Sequence, residues 1–154
     1  YGDHRDLHLS LRRQRQMCIR AEPIGYVKTS TIFIPRHWSY SDVEGEIIIN
    51  PEYKEGLKDI KPGDKIVVLF CFHKSPPFSR NKLIQKPPHK EKPTGVFNTC
   101  SPIRPNPIGL SVLDVLEVKD NIIKVKRIDM FDGTPIFDIK PYKAYSEITD
   151  KEEN

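Results

Sequence analysis

The chain has 154 residues, 37% of them apolar and 30% charged, with a formal net charge of +4. That length supports one domain with a real core, and no apolar run approaches the length of a membrane-spanning helix. The charge is uneven: residues 1–20 hold five Arg against two Asp, a net of +3, and the remainder carries only +1.

Residues 1–16 are rich in Arg and His and lack apolar periodicity, so a tail outside the domain is expected there, with residues 17–145 forming the domain. The start Leu7-His8-Leu9-Ser10-Leu11-Arg12-Arg13 is too polar for a secretory signal. A first short strand is expected over 24–28. A second covers 44–50, where Ile47, Ile48 and Ile49 form a β-branched run. Pro51 opens a short helical or irregular turn through 53–60, and Lys61-Pro62-Gly63-Asp64 reads as a tight turn. Residues 66–72 are uninterruptedly apolar, long enough for a buried strand and short for a helix.

A long loop follows, marked by Pro76, Pro77, Pro87, Pro88 and Pro93. It carries Lys74, Arg80, Lys82, Lys86, Lys90 and Lys92 against Glu91 alone, a local +5. Such a cluster suits either a solvated loop or contact with a polyanion. Short strands are then expected over 95–99 and 110–118. A tight connection at Lys119-Asp120-Asn121 leads to a strand at 122–128, with Ile123, Val125 and Arg127 on one face and Lys124, Lys126 and Ile128 on the other. After Asp132-Gly133-Thr134-Pro135, a last strand covers 136–139, and an acidic tail at 146–154 closes the chain. Many short strands, frequent turns and no long amphipathic helix predict a mainly β, single-domain small barrel of short, mostly antiparallel strands with long loops.

The cysteines, Cys18, Cys71 and Cys100, are odd in number and far apart, with no C-x-x-C pair. A reducing, cytoplasmic location is expected, and no metal site. Phosphate-binding glycine loops and serine-hydrolase elbows are also absent from the sequence.

Four stretches are candidates for chemistry. The first is Cys100-Ser101-Pro102-Ile103-Arg104-Pro105-Asn106-Pro107-Ile108-Gly109-Leu110-Ser111. Each proline fixes its own φ and holds the preceding residue extended, so Arg104 and Asn106 are displayed on a stiff backbone. A binding wall and a stiff inter-strand turn both fit. The second runs from Met130 to Tyr142 through the Asp132-Gly133 turn. There Asp138, Lys140 and Tyr142 alternate on one face, an arrangement that is costly unless the groups pair or bind something. The third is His73 at the loop end of the apolar strand. The fourth is Ile34-Pro35-Arg36-His37-Trp38, with Arg, His and the only Trp together, able to stack a planar ring or to plug the core.

The paired stretches RPNPIGLS, 104–111, and DGTPIFDIKPY, 132–142, resemble the TsaA-like family, which includes the TrmO tRNA methyltransferases. The resemblance runs from Pro23 to Tyr142 and corresponds to a minimal single-domain form. It implies a small β-barrel that uses S-adenosylmethionine, acts as a homodimer, and methylates the exocyclic nitrogen of N6-threonylcarbamoyladenosine in the tRNA anticodon loop. By motif matching it implies cofactor contacts from Pro35, Arg36, His37, His73, Lys74, Cys100, Leu110, Asp132, Gly133, Thr134 and Pro135. Lys82, Lys86 and Lys90 of the basic loop are the candidate tRNA contacts, acting on phosphates. No residue is assigned as catalytic; Asp132, Asp138, Tyr142 and His73 are the candidate bases.

One departure stands out. Where the family commonly reads F-x-T-R-S, this chain reads Phe97-Asn98-Thr99-Cys100-Ser101. A guanidinium is replaced by a thiol, and Arg36 and Arg104 are the candidate replacements. A non-catalytic RNA-binding barrel and a methyltransferase with another substrate are the alternative readings.

Overall fold

The structure, a computed structural model, describes residues 22–143, and the expected terminal tails lie outside the described residues. The chain divides into two compact units. A barrel unit comprises Pro23–Phe70 and the described residues from Leu110 onward, and a loop unit comprises Cys71–Gly109 with Glu22.

Eight strands are present among the described residues: β1 Gly25–Lys28, β2 Glu44–Ile49, β3 Lys65–Cys71, β4 Ile84–Gln85, β5 Thr94–Gly95, β6 Ile108–Lys119, β7 Ile122–Lys126 and β8 Pro135–Pro141. Six of them close a barrel in the order β1-β2-β7-β6-β3-β8. The pairs β1–β2, β1–β8, β2–β7, β3–β8 and β6–β7 are all antiparallel. The expected small β-barrel is therefore what forms.

The interior follows the strand period of two. Val27, Ile47, Ile49, Val68, Val115, Ile123, Val125 and Ile136 are all at most 1% exposed. Burying each of these side chains contributes roughly 1.5–3 kcal/mol. The intervening positions on the outside form cross-strand charge ladders. Glu46 on β2 faces Lys124 on β7, which faces Glu117 on β6. One row along, Glu44 faces Lys126, which faces Asp114. Opposite charges directly across a strand pair reinforce the register that the apolar face already sets. Gly25 lets β1 and β2 approach, because a Cβ there would collide with the Ile48 carbonyl oxygen.

Two expectations are corrected. The strand expected over 95–99 is only the end of β5, followed by a 3₁₀ turn at Val96–Asn98. Val96 turns into the unit, and the Thr99 N–H bonds the Val96 carbonyl at 3.1 Å, which bends the chain out of any ladder. The alternation expected through 128 breaks at Arg127, whose φ of +80° ends β7. This left-handed residue shifts the phase by one, so Ile128 is buried at 0% exposure while Arg127 leaves the face of Ile123 and Val125.

The loop unit contains the two-stranded β4–β5 ladder, with Ile84 opposite Gly95 and Gln85 opposite Thr94. This ladder lies inside the Pro-rich stretch, where the sequence shows no strand pattern. Two residues per strand carry too little alternation to read.

Candidate functional site

In the barrel unit, the segment 127–134 between β7 and β8 holds the loop between β1 and β2 at several points. The Thr29 N–H donates to Asp132 Oδ1 at 2.9 Å. The Arg127 guanidinium donates to the Ser39 carbonyl at 3.2 Å and to Asp114 at 2.7 Å. The Ser41 hydroxyl donates to the Ile128 carbonyl at 2.5 Å. The loop that contains 35–37 is thereby tied, through Thr29, Ser39 and Ser41, to the segment that leads into 132–135.

The β1–β2 loop presents an aromatic turn. His37 caps the 3₁₀ turn Trp38–Tyr40, and its Nδ1 accepts the Ser39 N–H at 3.2 Å. That acceptor role puts the proton of the neutral ring on Nε2. The His37 ring lies 5.1 Å from the Trp38 ring and 6.3 Å from the Tyr40 ring, tilted 31° in each case. Tyr40 is exposed and Trp38 and His37 are half-buried, so this trio offers planar faces rather than filling the core.

Behind the turn sits Asp129, which is not among the candidate site residues named from the sequence. Its carboxylate accepts the Ser111 hydroxyl at 2.6 Å and the Trp38 N–H. Burial pushes its pKa above the ordinary 3.8, against the lowering effect of Ser111, the Trp38 N–H and the nearby His37. The signal available in the sequence is the position of Asp129 just before the apolar Met130, beside one motif, with Ser111 at the end of the other. Nothing local links the two.

At the Asp132-Gly133 turn, Gly133 takes φ +77° and its N–H donates to the Val27 carbonyl at 2.7 Å. Thr134 is only 2% exposed, and its hydroxyl donates to the Phe131 carbonyl at 2.7 Å. Thr134 thus supports the turn from behind, while Phe131 and Asp132 form its exposed side. Leu110 on β6 is 54% exposed, Arg36 is exposed and Pro35 is half-buried. Further along β8, Lys140 Nζ pairs with Asp138 Oδ2 at 2.8 Å, and Tyr142 is exposed. This face is solvated, so the three polar groups are accommodated without a ligand.

The loop unit carries the other expected residues. β3 ends at Cys71, and His73 follows in an exposed turn with its N–H on the Cys71 carbonyl at 2.9 Å. Partial desolvation and then the neighbouring Lys74 charge lower the His73 pKa, so the neutral ring is favoured at pH 7. The stiff stretch after Cys100 is tied down through its carbonyls, since its prolines lack N–H groups. Pro102 O accepts the Ser75 hydroxyl at 2.8 Å, Ile103 O accepts Gln85 Nε2 at 2.7 Å, and Pro107 O accepts the Phe72 N–H at 2.8 Å. Arg104 folds back, and its Nη1 donates to Thr99 O at 3.0 Å and Ser101 O at 3.3 Å. The guanidinium therefore brackets the exposed Cys100, supplying positive charge beside it. Lys82 and Lys86 are exposed, and Lys90 Nζ donates to the Asn98 carbonyl at 3.1 Å. No cluster of metal-binding side chains occurs among the described residues.

The family model of the tRNA-methyltransferase O N-terminal domain matches residues 28–148. The chain belongs to that family. Among its relatives, an S-adenosyl-L-methionine-binding protein of Archaeoglobus fulgidus is 44% identical over 124 residues, covering 79% of this chain and 87% of the relative. The human tRNA (adenine(37)-N6)-methyltransferase is 38% identical over 133 residues, covering 80% of this chain but 30% of that protein. The crystal structure of TrmO from Pseudomonas aeruginosa superposes with a TM-score of 0.65 at 30% identity, covering 82% of this chain and 57% of that one. The chain likewise spans about half, 53%, of a probable S-adenosyl-L-methionine-binding protein of Pyrococcus abyssi.

Proposed function

We propose that this chain is an S-adenosylmethionine-dependent methyltransferase acting on tRNA at the exocyclic nitrogen of the adenosine at position 37, in its N6-threonylcarbamoyl form. The observation that supports the reading is that the β1–β2 loop, with its aromatic turn, is bonded to the 127–134 segment that carries the Asp132-Gly133 turn, in a chain of this family.

The residues present fit such a cofactor. His37, Trp38 and Tyr40 offer faces for an adenine ring. Asp132 has one carboxylate oxygen committed to Thr29, leaving the other for a hydroxyl or ammonium group. The loop unit carries polar and cationic groups of its own in Arg104, His73, Lys74 and Cys100. When bound, S-adenosylmethionine supplies an electrophilic methyl group. The work of the protein is then alignment and exclusion of water. Asp129 keeps the Trp38 turn in place from behind. The proposal includes a homodimer and a cytoplasmic setting, where tRNA is met.

Isothermal titration with S-adenosylmethionine, followed by methyl transfer to tRNA with and without the threonylcarbamoyl group, tests the reading. Saturable binding and transfer only to the modified tRNA are expected. RNA binding with no cofactor binding up to millimolar concentration would replace it with the non-catalytic barrel. Cofactor binding without transfer would point to another substrate.

A further inference from the structure

Phe97 is 77% exposed, although the residue before it, Val96, is buried at 1%. The turn that carries both is braced. The Thr99 N–H and hydroxyl both donate to Val96 O, at 3.1 and 2.7 Å. Lys90 Nζ holds Asn98 O at 3.1 Å, and Asn98 Nδ2 reaches Thr94 Oγ1 at 3.4 Å. The backbone on either side of the phenyl ring is pinned, so the ring cannot relieve its exposure by local refolding of the turn.

Other apolar groups stand nearby. The Val96 N–H bonds Leu83 O at 2.8 Å, and Ile84 pairs with Gly95. Leu83 is 42% and Ile84 62% exposed, so backbone pairing sets two more exposed apolar residues alongside the Phe97 turn. Exposed cations flank them: Arg80 and Lys82 in the preceding 3₁₀ turn and Lys86 directly after β4. Glu91 is the one acidic residue among six basic ones between positions 74 and 92.

A rigid exposed ring inside a field of lysines matches the chemistry of an unpaired nucleobase between phosphates. The ring offers a π-face that any base can use, and the lysines offer charge to the backbone on each side. Duplex RNA hides its base faces, so the complementary partner is a single-stranded loop. We propose that Phe97 is a stacking platform for an unpaired base of an RNA loop, with Lys82 and Lys86 on the adjoining phosphates and Lys90 acting as the brace of the platform. The proposal deepens the tRNA reading and rests on it.

The test uses the full chain without cofactor. Binding of a synthetic anticodon stem–loop RNA and of a blunt RNA duplex is followed by fluorescence anisotropy across a salt series. Phe97→Ala and Phe97→Leu are each expected to weaken stem–loop binding by about 10-fold, and Phe97→Tyr to retain it, since stacking on one base carries that order of affinity. Their salt slopes stay at the wild-type value. Lys82→Ala with Lys86→Ala instead lowers the slope, by roughly 0.7 for each single-strand phosphate left without its lysine. Unchanged stem–loop affinity in Phe97→Ala, or full affinity in Phe97→Leu, overturns the platform. So does a Phe97→Ala chain that changes its sedimentation behaviour but not its RNA affinity, which would assign the patch to a second copy. Because the readout is binding without cofactor, absent methyl transfer would remove the enzymatic reading while leaving the platform standing, and the reverse holds too.

Discussion

The Ser111 hydroxyl donates to the Asp129 carboxylate at 2.6 Å, joining the last residue of the 104–111 stretch to a residue just ahead of the 132–142 stretch, 18 residues along the chain. Asp129 in turn receives the Trp38 N–H. A single partly buried carboxyl group thus sets where the aromatic turn sits relative to β6. Burial raises its pKa above 3.8, so the folded state holds the Asp129 proton more tightly than the unfolded chain does. The associated stability is complete below 3.8 and is lost as pH rises through the raised value. In urea titrations across that range, the wild type should lose stability with rising pH while Asp129→Asn does not. Parallel curves for the two proteins would contradict this.

Asp114 behaves oppositely. Burial alone would raise its pKa, but the hydrogen bonds and charges of Lys65 and Arg127 outweigh burial and leave it below 3.8. Its contribution is present above 3.8 and lost as pH falls through the lowered value. Asp114→Asn is expected to flatten the acid limb of the stability curve below 3.8, and thermal melts across that limb would show it. An acid limb as steep as in wild type would assign the loss to other carboxylates.

Arg127 ties β6 to the aromatic turn by bonding both Asp114 and the Ser39 carbonyl. Removing it in Arg127→Ala should cost about 1 kcal/mol, since the ion pair is partly solvated. The emission of Trp38, the only tryptophan, should shift toward that of a more solvated indole. Arg127→Lys should not restore it, because an ammonium cannot reproduce the guanidinium fork. A wild-type emission spectrum in Arg127→Ala would show that the turn stands without this bond.

Gly25 and Gly56 make a matched pair. A Cβ at Gly25 would collide with the Ile48 carbonyl oxygen and lie 2.9 Å from Ile49 Cα, whereas at Gly56 it would meet nothing within 4 Å. Gly25→Ala must force β1 and β2 apart and should cost roughly 1–3 kcal/mol or more, with Gly56→Ala close to wild type. Equal denaturation midpoints for the two variants would refute the close approach.

Cys100 is exposed and Cys71 is buried. Alkylation followed by peptide mapping should label Cys100 readily and spare Cys71 in the folded chain. If position 100 lines the proposed cofactor site, S-adenosylmethionine should slow labelling of Cys100. The same labelling rate with and without saturating cofactor would take Cys100 out of the site.

The barrel is legible in the sequence because its strands announce themselves locally. Ile47-Ile48-Ile49, the run from Ile66 to Phe72 and the alternation at Ile123 and Val125 each fit only a strand at those lengths. The ladder at Ile84–Gln85 is not legible, nor is the bend at Val96–Asn98, because two- and three-residue elements leave no period to read. The paired motifs point to the family and to 35–37 and 132–135. Asp129 is invisible at that level because its importance comes from Ser111 and Trp38, neither of them a sequence neighbour.

By itself, then, the sequence determined the strands, the turn residues and the two stiff motifs, all properties of chain stretches a few residues long, where φ restriction and apolar period decide the outcome. Only the tertiary structure decided which polar groups meet. It buried Thr134 under its own turn, folded Arg104 back around Cys100, and placed Arg127, through a left-handed backbone, on Ser39 some 88 residues away. Those placements arise from closure of the barrel and from packing within the loop unit, where unmet hydrogen-bonding groups select their partners by proximity in space.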